Sequence, residues 1–158
     1  MAGRSHHYQI AVEWLGNHGE GTSSYKTYGL EHRITAEGKP DLLASADPAF
    51  RGERDRWNPE ELLVASLSAC HQLWYLHLCA VSGVVVTAYR DEAEGEMAES
   101  EDGSGAFVRV VLRPKVTVTS ASDAGLAEKL HHEANAKCFI ARSVNFPVEH
   151  EPQIAIAE

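Results

Sequence analysis

The run Asn58-Pro59-Glu60-Glu61-Leu62-Leu63-Val64-Ala65-Ser66-Leu67-Ser68-Ala69-Cys70-His71 constrains the fold more than any other part of the chain. Asn58 can cap free amides, Pro59 suits the first helical position because it has no N–H to leave unpaired, and Glu61 stands where a capping box needs an acid. Leu63, Leu67, Cys70, Trp74 and His77 or Leu78 then recur every three to four residues. Leu62, Ala65, Ala69, Leu73 and Leu76 supply a second apolar face. A helix apolar on two faces, with small residues that let neighbours approach, belongs in a core and carries Cys70 into it. It is expected to run from Pro59 to about Val81 and to stop near Gly83, because glycine commonly takes the left-handed position after a helix.

The rest of the chain arranges itself around that element. Tyr8 to Trp14 alternates as a strand with one covered face, Gly16 to Gly21 must turn, and Tyr25 to Ile34 returns as its hairpin partner. From Glu37 to Trp57 no period is evident, and such a loop is usually tied down by function or by a partner. Residues 84–119 read as a long antiparallel hairpin turning near Gly103, with Pro114 at an edge or a bulge. Asp91, Glu92, Glu94, Glu96 and Glu99 form its acidic solvent face. A second helix starts at Ser122 or Asp123 and takes in Leu126, Leu130, Ala134, Cys138 and Phe139. Ser143 to Val148 and Ile154 to Ile156 close the chain as a strand or strand pair. Residues 1–158 therefore read as a single α+β domain, with sheets from both chain ends around helices at 59–81 and 123–140.

Composition narrows the chemistry. A net charge of −9 opposes a grip on nucleic acid or on an anionic membrane, both of which need concentrated Lys and Arg. The amino-terminal stretch Met1 to His7 has no signal-peptide hydrophobic segment and no apolar run reaches membrane-spanning length, which favours a cytoplasmic address. Three cysteines, Cys70, Cys79 and Cys138, form neither a CxxC pair nor a disulfide framework, so each is a buried thiol or a working one. Cys79 has no chemical company and reads as core. Cys70 has Arg51, Arg54 and Arg56 upstream, with Glu60 and Glu61 available to orient one of them, and a cation beside a thiol favours the thiolate. Glu60 precedes Cys70 by ten residues, roughly 15 Å of helical rise. A bridging arginine, or the loop of a second subunit, would have to close that gap.

Metal binding is the chief chemical alternative. His77 follows Cys70 by seven residues and His131 precedes Cys138 by seven, but two helical turns span about 10 Å, too far for one ion to take both members of a pair. His71 and His132 add no compact ligand pattern, and His131 and His132 read as surface or supporting residues. No metal and no cofactor is expected. A Cys-His hydrolase lacks a strained nucleophile turn, and no phosphate-binding glycine loop is present.

The segment Asn58 to Leu63, then Ala65 and Ser68-Ala69-Cys70-His71, and far downstream Cys138-Phe139-Ile140-Ala141-Arg142-Ser143-Val144, resemble the OsmC/Ohr family of organic hydroperoxide reductases. Phe50-Arg51-Gly52 and Trp57-Asn58-Pro59-Glu60 resemble its OsmC-like branch. The resemblance implies an OsmC-like fold of antiparallel sheets around two long central helices, in an intertwined homodimer with sites at the subunit interface. It implies a peroxidatic role for Cys70, a resolving role for Cys138, and for Glu60 the role of orienting a catalytic arginine. Arg51 is the first choice for that arginine, with Arg54, Arg56 and Arg33 as alternatives. Asn135 stands where relatives often carry histidine. The implied function is a thiol-dependent peroxidase that reduces organic hydroperoxides to alcohols and is regenerated by an external dithiol or dithiol protein. Alternatives on the same fold are a redox sensor or apolar-ligand-binding module, and a structural dimer with buried cysteines.

Overall fold

The computed structural model describes residues 3–158. Met1 and Ala2, at the head of the stretch considered for a leader, lie outside the described residues. The chain forms two compact units, Met1–Leu62 and Leu63–Glu158.

In the amino-terminal unit, β1 (Ala11–Trp14), β2 (His32–Thr35) and β3 (Leu42–Ala44) form an antiparallel sheet in that order. Val12 faces Ile34 and Ile34 faces Leu42. The expected turn forms around Asn17, whose side-chain oxygen accepts from the amides of Gly19 and Gly21, both at 3.0 Å. β3 falls within the span read as irregular, and a strand of three residues is too short to show a period. The remainder of that span is held by local bonds. Asp47 caps a 3-10 turn at Pro48–Phe50 through the Ala49 amide, and the Ser45 amide reaches the Trp57 carbonyl at 2.8 Å. A Cβ at Gly52 would collide with the Ala46 carbonyl, so this close approach requires glycine.

Helix α1 (Pro59–Val81) begins as expected, with the Asn58 side chain accepting from the Glu61 amide at 2.8 Å. It also ends as expected, with Gly83 at φ 76° and the Val84 amide bonded back to the Cys79 carbonyl at 2.9 Å. By length and composition alone α1 could cross a membrane. In the carboxy-terminal unit, however, its Tyr75, Leu78 and Cys79 pack with Val84, Val116, Val118, Ala127, Leu130 and Ala134 in one core cluster. Leu67 packs with Val110 and Leu112 in a second.

The expected long hairpin is present but broken in its middle. β4 (Val86–Asp91) pairs antiparallel with β7 (Pro114–Val118), and β5 (Glu94–Glu99) pairs antiparallel with β6 (Gly105–Leu112). Each ladder then takes a parallel strand from the chain end, β8 (Val148–His150) beside β6 and β9 (Gln153–Ile156) beside β7. The two sheets of this unit are thus mixed and not antiparallel throughout. Pro114 is buried as the first residue of the central strand β7, where its missing N–H does not interrupt the ladder, and so marks neither an edge nor a bulge. Most acids of the hairpin are ion-paired, Glu92 with Lys115 at 2.7 Å, Glu94 with Arg113 at 2.9 Å and Glu96 with Arg109 at 3.2 Å. Asp91 departs from the solvent-face reading. It is half-buried and accepts from the Ser68 hydroxyl at 2.5 Å and the Arg113 amide at 2.7 Å.

Helix α2 (Ala124–Lys137) is capped by Asp123 and is shorter than expected. Cys138 and Phe139 lie beyond its end, with Cys138 extended at φ −63° and ψ 115°. The apolar spacing of Leu130, Ala134 and Cys138 continues past the point where the backbone leaves the helix. There the Ser143 hydroxyl bonds to the Phe139 carbonyl at 2.7 Å, and the Cys138 sulfur accepts from the Ala141 amide at 3.4 Å.

Candidate active site

Two segments of the carboxy-terminal unit bring thiols together. Cys70 projects from the middle of α1 and is half-buried, whereas Cys138, in the turn after α2, is 1% exposed. Both are free thiols, and Cys70 is near enough to Cys138 to influence its ionisation. Burial above all, and then the adjacent Cys70, push the Cys138 thiol up to about 11, against the opposing pull of the Ala141 and Ile140 amides. Cys138 therefore stays protonated at neutral pH, while Cys70 is the better placed of the two to meet a reagent from solvent. Trp74 and Phe139 meet edge to face at 5.5 Å, and Lys137 lies 5.6 Å from the Trp74 ring centre. One sulfur can thus act as nucleophile while the second waits to displace whatever the first acquires.

Cys79 lies nine residues after Cys70 on the same helix and is 1% exposed. Burial raises its pKa, and the neighbouring Tyr75 hydroxyl partly offsets this. Its surroundings match the core reading.

In the amino-terminal unit the other candidates are placed but not joined. Glu60 is half-buried, and its Oε2 is buried without a hydrogen-bond partner. Arg51, at φ 70°, lays its guanidinium 3.8 Å from the Tyr25 ring centre and 5.4 Å from that of Tyr28. Arg56 pairs with Glu53 at 2.6 Å, and Arg33 with Glu13 at 3.1 Å and Asp41 at 3.7 Å. Arg54 lines an open pocket of about 300 Å³ with Asp55, Arg56, Trp57 and Glu61. Among the described residues none of these arginines forms an ion pair with Glu60.

A histidine stack is the feature that sequence reasoning missed. His131, read as a surface or supporting residue, is 0% exposed, and His71 is 1% exposed. His131 stacks on Tyr75 with ring centres 3.8 Å apart and hydrogen-bonds His71, Nδ1 to Nε2, at 3.0 Å. His150 on β8 packs 5.8 Å from His71 and hydrogen-bonds the exposed His132 at 3.2 Å. The available signal was the i, i+4 spacing of His71 and Tyr75, which puts both on one face of α1. The partner of His71 lies 60 residues away and cannot be read from spacing. Burial first, then neighbouring imidazoles, hold His71 down at about 4 and His131 down at about 3. His71 and His131 lie side by side in nearly parallel planes, 5° apart, as their hydrogen bond requires, and His131 stacks on Tyr75, so the ring nitrogens do not converge on a point. Among the described residues no cluster of three or more His, Cys, Asp or Glu is arranged to hold a metal ion.

Comparison with known proteins agrees with this architecture. Residues 52–153 match the family model described as OsmC-like protein. An OsmC-like protein of unknown function from Vibrio cholerae is 32% identical, superposes with a TM-score of 0.85, and is matched over 94% of this chain and 100% of its own. The uncharacterized protein YmaD of Bacillus subtilis is 23% identical over 154 residues, 96% of this chain and 95% of its own length. The organic hydroperoxide resistance protein OhrB of Bacillus subtilis shares the fold with a TM-score of 0.61 at 19% identity, over 92% of this chain and 98% of its own. The α+β fold is OsmC-like, with mixed sheets and few helices, and the chain belongs to the OsmC/Ohr family.

Proposed function

We propose that the protein is a thiol-dependent peroxidase that reduces organic hydroperoxides to alcohols. The observation that carries this reading is the proximity of a half-buried Cys70 to a fully buried Cys138, whose ionisation Cys70 influences, in a family that includes organic hydroperoxide resistance proteins. The Cys70 thiolate attacks the distal oxygen of ROOH, the O–O bond breaks, and the departing alkoxide takes a proton to leave as alcohol. Cys70 sulfenic acid is then attacked by the Cys138 sulfur. The S–O bond breaks, water leaves with the Cys138 proton, and a disulfide forms before further oxidation. An external dithiol or dithiol protein returns both thiols. No cofactor enters the cycle.

The unpaired Oε2 of Glu60 suits an arginine partner, Arg51 first, once its guanidinium leaves Tyr25. A charge-assisted pair of that kind is worth roughly 1.5–3 kcal/mol. Homodimerisation is supported by exposed apolar side chains that an isolated chain has no reason to display. Leu73 and Val81 on α1 are each 67% exposed, and Tyr8, Ile10 and Val12 near β1 are 88%, 64% and 60% exposed. The working unit would be a cytoplasmic homodimer of chains that each act as one OsmC-like domain over residues 1–158. A second reading, a redox sensor of low turnover, is favoured by the stacking of Arg51 on Tyr25 in place of a pairing with Glu60.

Stopped-flow consumption of cumene hydroperoxide and of hydrogen peroxide by the reduced protein tests the proposal. Burial of the alkyl group near Trp74 and Phe139 predicts faster reaction with the organic hydroperoxide, since each buried CH₂ is worth about 0.8 kcal/mol. Equal rates would remove the organic preference, and unreacted thiols under excess of either peroxide would remove the peroxidase.

A further inference from the structure

The buried histidines tie together the two segments that carry the thiols. His71 follows Cys70 directly on α1, and His131 lies on α2, seven residues before Cys138. Their 3.0 Å hydrogen bond is a direct side-chain link between the two helices, reinforced where the Tyr75 hydroxyl donates to the Ala127 carbonyl at 2.9 Å. A single hydrogen atom between Nε2 of His71 and Nδ1 of His131 makes this link, so it requires at least one of the two rings to be neutral at that position. The outer nitrogens, Nδ1 of His71 and Nε2 of His131, are buried without partners, as is Nδ1 of His150.

The titratable surroundings offer a proton no compensation. From α1 the neighbours are Tyr75 and, through it, Cys79. From α2 they are His131 and His132, and from β8 His150. From β4 Tyr89 reaches the cluster through Tyr75, with Asp91 beyond it. β9, which packs on α2, brings no titratable side chain. The charges acting on the histidine rings come from other imidazoles, with no carboxylate among them. A proton entering the stack therefore meets only groups that it repels or leaves indifferent.

We infer that the His71–His131 pair is an acid-sensitive tie holding α1 to α2, so that protonation of the stack separates Cys70 from Cys138 and suppresses disulfide formation. The inference rests on the dithiol reading for its biological meaning, but its geometric content does not need peroxidase activity. When the tie is open, Cys70 oxidised to sulfenic acid finds no sulfur to displace its hydroxyl, and further hydroperoxide carries it to sulfinic acid.

The test uses diamide, whose N=N bond takes two electrons and two protons from a dithiol and so reports thiol proximity without any peroxide. Initial rates of Cys70–Cys138 disulfide formation would be measured between about pH 7.5 and pH 3, a range that reaches the values of about 4 and about 3 to which His71 and His131 are held, for wild type and for the double variant His71→Gln/His131→Asn. The two amides retain a donor and an acceptor near the original nitrogens but do not titrate. Each protein is normalised to its own rate at the upper pH, so the common loss of thiolate cancels in the ratio. The wild-type to variant ratio should fall at least about fivefold across the range. A ratio that stays flat overturns the inference.

Should the double variant fail to fold, hydrogen exchange of the wild type decides. Selective loss of protection in residues 70–78 and 126–134 on acidification supports the tie, and unchanged protection overturns it. Inert thiols toward cumene hydroperoxide together with a falling diamide ratio would defeat the peroxidase and leave the tie standing.

Discussion

Cys70 and Cys79 stand nine residues apart on one helix, yet their surroundings give them opposite prospects. Around Cys79 the chain closes completely, and burial keeps it a small apolar side chain against the opposing influence of the Tyr75 hydroxyl. Around Cys70 the enclosure is partial and the neighbour is a second sulfur. Burial alone gives a packing residue, whereas partial access beside a reserved thiol gives the elements of a redox cycle.

The comparison breaks first at Cys70. Cys70→Ser should abolish hydroperoxide consumption, while Cys79→Ser should leave the rate within about threefold of wild type; comparable losses in stopped-flow traces of the two variants would erase the distinction. Cys138→Ser should keep the first turnover but cut dithiol-supported steady-state turnover to below about 5%, because Cys70 is then carried up the oxidation ladder. A coupled assay over many turnovers reads this.

Glu60→Gln sharpens the question of what activates Cys70. It should slow the first turnover roughly 10–100-fold, the kinetic equivalent of one lost charge-assisted bond. An unchanged rate would separate Glu60 from the chemistry.

The Tyr75 side of the comparison is the acid-labile one. His71 titrates near 4 in the folded protein against 6.5 when unperturbed, so the unfolded chain binds the extra proton first as pH falls. Stability is therefore fully present above about pH 6.5 and falls between there and about pH 4, by roughly 3 kcal/mol from His71 alone. Urea unfolding at a series of pH values measures it. The smallest effect belongs to Cys79→Ala, which should cost about 1–2 kcal/mol through a small cavity and lower Tm by a few degrees in calorimetry.

What could be read from the sequence follows how local the determinants are. The limits of α1 were legible because Asn58 caps within three residues and the turn at Gly83 closes within five, so cause and consequence are neighbours in the chain. The nearness of Cys70 and Cys138 came only through family resemblance, since nothing between residues 70 and 138 encodes the distance. The end of α2 was misread because the apolar period continues through Cys138, while the helix is ended by hydrogen bonds of Ser143 and of the Cys138 sulfur itself. Arg51 was legible as a charge near Glu60. Its left-handed backbone and its seat on Tyr25 depend on a chain reversal that spacing does not reveal. The histidine stack was invisible for the same reason, because its members come from α1, α2 and β8.

The most direct measurement of the central claim is intact-mass analysis with peptide mapping after one equivalent of cumene hydroperoxide is added to the reduced protein, in wild type and in Cys138→Ser. The account predicts that wild type loses two hydrogens and maps to a Cys70–Cys138 disulfide, while Cys138→Ser gains one oxygen on Cys70. A disulfide engaging Cys79, or two proteins that both keep their reduced mass, would contradict it.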